Sequence, residues 1–88
     1  MLKARITLNT CDSRLAEALE KSLKVEALNP PDPSRGTARV TRENGAVIIE
    51  IEARDESSAR ALINAFLSLA ASLWDSIEGT SGDVQEAG

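Results

Sequence analysis

The sequence predicts an α+β domain of order βαββα, a three-stranded antiparallel sheet with two helices packed on one face. Three observations carry this. Leu2–Leu8 alternates apolar and polar residues at strand period. An Asn44-Gly45 pair joins two further short strand-like runs, and both central residues of such a turn take positive φ. The segments on either side of that hairpin change to helical period.

In the first strand Leu2, Ala4, Ile6 and Leu8 share one side, and Lys3, Arg5 and Thr7 the other. Thr10, Asp12 and Ser13 are good helix N-caps. From Asp12 to about Val25 the apolar stripe Leu15, Ala16, Leu19 and Leu23 predicts an amphipathic helix. Its wet face carries Glu17–Lys21 and Glu20–Lys24, both i,i+4 pairs in the favourable order.

Asn29–Gly36 holds three prolines and reads as a loop, because proline neither continues a helix nor donates to a ladder. The hairpin strands are Thr37–Arg42 and Ala46–Arg54, the second with Val47, Ile49, Ile51 and Ala53 on its dry face. Ile48 breaks that pattern by standing on the wet side, either as an isolated surface residue or as a mark of covered surface. If the crossover through the first helix returns the chain parallel to the first strand, the final strand fits between the other two, in order 1-3-2. The second helix begins near Asp55, Ser57 and Ser58, contains no Gly or Pro over Glu56–Glu78, and is expected to stop at Gly79. Residues 1–79 are thus read as one domain and residues 80–88 as a disordered acidic tail.

A chain of 88 residues buries only about 60–65 % of its unfolded surface, which leaves a marginal core in want of a staple or a second subunit. Cys11 is the only cysteine, so no internal disulfide forms, and a lone thiol suits the cytoplasm. Histidine and tyrosine are absent, and Phe66 and Trp74 are the only aromatics. That removes the commonest general base and metal ligand and leaves little to wall a pocket, so no enzyme activity, cofactor, metal or small-molecule substrate is expected. No glycine-rich loop opens a helix, and the acidic residues fall on wet faces rather than in a cleft. A net charge of −4 argues against an independent nucleic-acid binder. The basic residues Lys3, Arg5, Arg39, Arg42 and Arg54 are grouped on the wet face of the sheet, where they would steer RNA weakly within an assembly. The basic start lacks an apolar run, and no stretch reaches the roughly 20 apolar residues of a membrane span, so a soluble protein without signal peptide is expected.

The long helix is the most informative element. Ala59, Leu62, Ile63, Phe66, Leu67, Leu69, Ala70, Leu73, Trp74 and Ile77 fill an arc of about 160°, wider than one small sheet requires. Either that arc is the whole core, or one edge of it is buried by another chain. The opposite face carries Ala61, Ala65, Ser68, Ser72 and Ser76, where the first helix carries Lys and Glu. Small residues are good or neutral helix formers, and they also let a second helix approach closely. Arg60 has an ordinary role available as the i,i+4 partner of Glu56.

The segment Ala53–Asn64, with Ala53 and Asp55 closing a strand and Ser57 or Ser58, Arg60-Ala61 and Asn64 opening a helix, resembles the small dimerisation subunit of the KEOPS (EKC) complex in its archaeal form. The element order matches that family over nearly all the chain except the tail. One departure is Ala59, where the family has a larger apolar residue, which keeps a divergent paralogue acting as a heterodimer partner in view. The resemblance implies a homodimer whose helices dock on the catalytic subunit of a complex that makes threonylcarbamoyladenosine in tRNA. It implies a non-catalytic role in dimerising the assembly and helping it bind tRNA, which is met only within the complex. The residues expected to meet partners are Arg60, Ala61, Asn64, Ala65, Ser68, Ser72 and Trp74. Two other classes compete. A KH-like RNA-binding module needs a Gly-x-x-Gly loop with basic flanks, which this chain lacks. An enzyme assembled only at an oligomer interface would need carboxylates to converge there.

Overall fold

The computed structural model describes the backbone of residues 1–86 and the side chains of residues 1–76. Its elements are β1 (Leu2–Asn9), α1 (Ser13–Leu28), β2 (Gly36–Glu43), β3 (Ala46–Ala53) and α2 (Glu56–Glu86). The sheet is antiparallel throughout, in order β1-β3-β2, as the sequence predicts.

Local chemistry accounts for each boundary. Asp12 caps α1 by accepting from the Arg14 N–H at 2.9 Å, and Thr10 Oγ1 in turn accepts from the Asp12 N–H at 2.8 Å. The helix continues past Val25, where its end is expected, to Leu28. Glu26, Ala27 and Leu28 are good helix formers, and Asn29 closes the helix by donating from Nδ2 to the Val25 carbonyl at 2.8 Å. Lys21–Glu17 and Lys24–Glu20 pair on its wet face at 3.5 and 3.1 Å. In the hairpin, Asn44 (φ 48°) and Gly45 (φ 83°) both take positive φ, the signature of a type I′ turn. That turn puts Glu43 opposite Ala46 and so sets the register of the whole β2–β3 ladder. The backbone of α2 remains helical through Gly79 and Gly82, because an interior glycine costs a helix about 1 kcal/mol without ending it. Ile77 and the tail expected over residues 80–88 lie outside the residues with described side chains.

Both helices pack on the face where Val47, Ile49 and Ile51 are fully buried, with Leu15, Leu19 and Leu23 of α1 and Phe66 and Ala70 of α2. At roughly 1.5–3 kcal/mol for each large side chain, this cluster supplies the main term holding the sheet to the helices. α1 lies over β2 and β3, whereas α2 alone touches β1. On the open face Ile48 is only 6 % exposed, flanked on the central strand by Thr7 and Thr41.

One close approach fixes the seat of α2. A methyl group on Gly36 would lie 2.6 Å from Leu62 Cδ1 and 2.9 Å from the Glu52 carbonyl oxygen. Gly36→Ala is therefore expected to lower stability by about 1–3 kcal/mol through overpacking. Urea unfolding monitored by circular dichroism measures this, and an unchanged midpoint would show that α2 has room to shift.

Candidate docking cleft

The loop after α1 is wound tightly on itself and pinned to α2. Asp32 Oδ1 accepts from the Ser34 N–H at 3.1 Å and from Ser34 Oγ at 2.6 Å. The Asp32 carbonyl takes the N–H groups of Arg35 and Gly36 at 3.0 and 3.4 Å. These bonds from Ser34 hold the Asp32 carboxyl below its usual range. Further on, the Arg54 N–H donates to the Arg35 carbonyl at 2.8 Å, and Arg35 Nε donates to Ser58 Oγ at 3.0 Å. Ser58 is buried, and its N–H donates to Asp55 Oδ1 at 2.8 Å. Asp55 thus caps α2, and the bonds from Ser58 lower its carboxyl pKa, with the Arg54 charge beside it a smaller cause.

This pinning opens a cleft of about 150 Å³ between the end of α1 and the start of α2. Ala27, Pro30 and Pro31 form one wall, and Ala61, Leu62, Ala65 and Phe66 the other. Gly36 and Ala38 lie at its base, and Glu26, Asp32 and Arg35 put charges of both signs beside it. An apolar space of about this size accommodates a benzene ring, so the cleft has room for one bulky apolar side chain of a partner. Val25 and Leu28, next in sequence to the lining residues Glu26 and Ala27, are 61 % and 79 % exposed, where a solvated helix would carry polar residues.

The expected partner residues fall into three groups. Ala61 and Ala65 line the cleft, and Ser68 and Ser72 continue as exposed positions along α2. Arg60 is exposed and bonded through Nη2 to Glu56 Oε2 at 3.0 Å, and Asn64 is exposed on the border beside it. Trp74 is half-buried against the core. Sequence reasoning missed Ala27, Pro30 and Pro31; the signal for them was Asn29 as a helix stop, which would have carried α1 one turn further.

The basic grouping on the sheet needs correction at Arg42. It has the strand parity of Val40, so it lies on the helix-covered side, where Nε pairs with Glu20 Oε1 at 3.1 Å. On the open face Arg5 and Arg39 flank Glu50 in register, and Lys3 pairs with Glu52 at 3.8 Å. The open face is therefore balanced in sign. Among the described residues no cluster of three or more His, Cys, Asp or Glu could hold a metal ion, and no helix is long and apolar enough to cross a membrane.

These features define a small α+β subunit with a preformed apolar cleft between its two helices. A family model described as transcription factor Pcc1 matches residues 3–78, and the chain belongs to that family. Pcc1 is the small, non-catalytic subunit family of KEOPS, a tRNA-modifying complex, so membership makes this chain a KEOPS-type subunit. No curated protein matches the chain.

The two lowered carboxyls generate a pH prediction. A depressed folded-state pKa adds stability that is complete above the ordinary carboxylate range and is lost as pH falls through the folded value. Unfolding temperature should drop between pH about 5 and about 2, and Asp32→Asn with Asp55→Asn should lower the neutral-pH value and shrink that drop. Thermal scans across that range check both signs.

Proposed function

We propose that the chain is a non-catalytic, self-pairing scaffold subunit of KEOPS, and that the catalytic subunit of that complex docks a helix along the small-residue face of α2. The observation that carries the docking reading is the convergence of Ala61 and Ala65 with Ala27, Pro30 and Pro31 around one apolar cleft. Small side chains admit a close helix, and the cleft takes an apolar anchor from it. Ser68 and Ser72 extend the track along α2.

Self-pairing adds a second subunit's worth of buried surface to a marginal domain, and it brings two catalytic subunits into one assembly. tRNA is met only within that assembly, in the cytoplasm; the net charge of −4 and the sign-balanced sheet face support an assisting rather than a primary contact.

The test is the solution mass of the purified chain mixed with the KEOPS catalytic subunit. A stable complex is expected. Ala61→Arg with Ala65→Arg, both at exposed positions, should weaken it roughly a hundredfold by forcing guanidinium groups into an apolar seat. A mixture that stays separate, or a complex indifferent to both arginines, would overturn the docking reading.

A further inference from the structure

The two helix ends that meet at the cleft are finished differently. α2 begins with its positive dipole end, and negative charge answers it twice, from the Asp55 cap and from Glu56 in the first turn. α1 finishes with its negative end, and no positive charge answers it. Its last turn carries no basic residue and does carry Glu26. A carboxylate in that place opposes the dipole of its own helix.

The prolines after α1 leave this end more negative still. A helix carbonyl bonds the N–H four residues on, and for Glu26 and Ala27 those positions are Pro30 and Pro31, which have none. Asn29 repairs part of the loss, its N–H going to the Glu26 carbonyl at 3.2 Å and its Nδ2 to the Val25 carbonyl at 2.8 Å. Among the described residues no N–H reaches the carbonyls of Ala27 and Leu28. The Glu26 carboxylate likewise has neither an ion pair nor a hydrogen bond there, whereas Glu17 and Glu20 on the same helix are both paired with lysines.

All of this negative charge borders an apolar space. Glu26 and Ala27 both line the cleft, and Asp32 adds a second carboxylate to the lining. Arg35 is the cation of the lining, and its Nε is given to Ser58 at 3.0 Å. On either side of Glu26 in sequence, Val25 and Leu28 offer exposed apolar surface.

We infer that the helix seated in the cleft brings a lysine or arginine to Glu26, on the turn next to the apolar side chain that fills the space. The inference rests on the docking reading above and adds the chemistry of what docks. A long cationic side chain suits this place twice over, since its stem can lie on apolar surface while its head meets the carboxylate and the bare carbonyls. An acidic side chain would meet Glu26 and Asp32 as like charges, which costs an interface heavily. A neutral one would cover the Glu26 carboxylate without pairing it. Glu26 is thus a residue that selects the partner at some expense to α1.

The experiment titrates the full chain with the KEOPS catalytic subunit by calorimetry, at low and at high salt. The unaltered chain is expected to bind, and more weakly as salt screens the pair. No binding at either salt would sink the docking reading and this inference with it. Glu26→Gln should weaken binding about three- to tenfold at low salt and flatten the salt dependence, and Glu26→Arg should weaken it at least about tenfold further. Both variants should unfold at the same temperature as the unaltered chain or higher, because they remove a charge that opposes the helix dipole, so lost binding is not lost folding. Glu17→Gln makes the same change in net charge on the wet face of α1 and should leave the affinity within about twofold. A Glu26→Arg chain that binds as tightly as the unaltered one, while Ala61→Arg with Ala65→Arg still disrupts the complex, would overturn the cation and leave docking standing. Equal weakening by Glu17→Gln and Glu26→Gln would assign the effect to net charge and overturn the inference as well.

Discussion

The structure depends on β3. It lies in the middle of the sheet, paired on both sides, and its inner face, Val47, Ile49, Ile51 and Ala53, is fully buried. Side chains alternate with period two, so a slip of one residue on either ladder would carry those four onto the open face and bring Ile48, Glu50 and Glu52 inside. The cost of such a slip is several large apolar side chains returned to water, at roughly 1.5–3 kcal/mol each. Two short pieces of chain hold the register against it. On one side is the Asn44-Gly45 turn, and on the other the Thr10 N–H donates to the Gly45 carbonyl at 3.2 Å, tying the end of β1 to the same corner.

A second constraint is arithmetic: two helices must cover three strands. α1 takes β2 and part of β3, and α2 takes what remains, held close at its start by Gly36 beneath Leu62. The bond from Arg35 to Ser58 pins the proline loop at the same place. Of the two helices only α2 reaches β1, so cover on that edge strand is thin. Ala4, Ile6 and Leu8 are half-buried there, whereas their partners on β3 are fully buried.

Most of the architecture was legible in the sequence because it is written locally. Strict alternation in Leu2–Leu8, the Asp12 cap, the i,i+4 pairs on α1 and the Asn-Gly turn each need only a few neighbouring residues to be read. The family resemblance was legible in Ala53–Asn64 for the same reason. What escaped was tertiary. The cleft exists because a loop arginine reaches Ser58, 23 residues on, and no spacing rule announces that bond. Strand parity counted from Val40 already puts Arg42 on the helix side of the sheet, and the tertiary packing then sets it against Glu20. Ile48 is buried on a face with no helix because it sits on the middle strand, so its environment follows from topology rather than from its own segment.

The breadth of the apolar arc on α2 also finds a physical account. A helix that only roofed this sheet would need one stripe, with polar residues on both shoulders. Here one shoulder ends in Ala61 and Ala65 at the cleft and the other in Leu67. At 100° per residue, Leu67 and Ala65 lie about 160° apart around the helix axis. Under the docking proposal a helix seated at the cleft therefore approaches from the side away from Leu67.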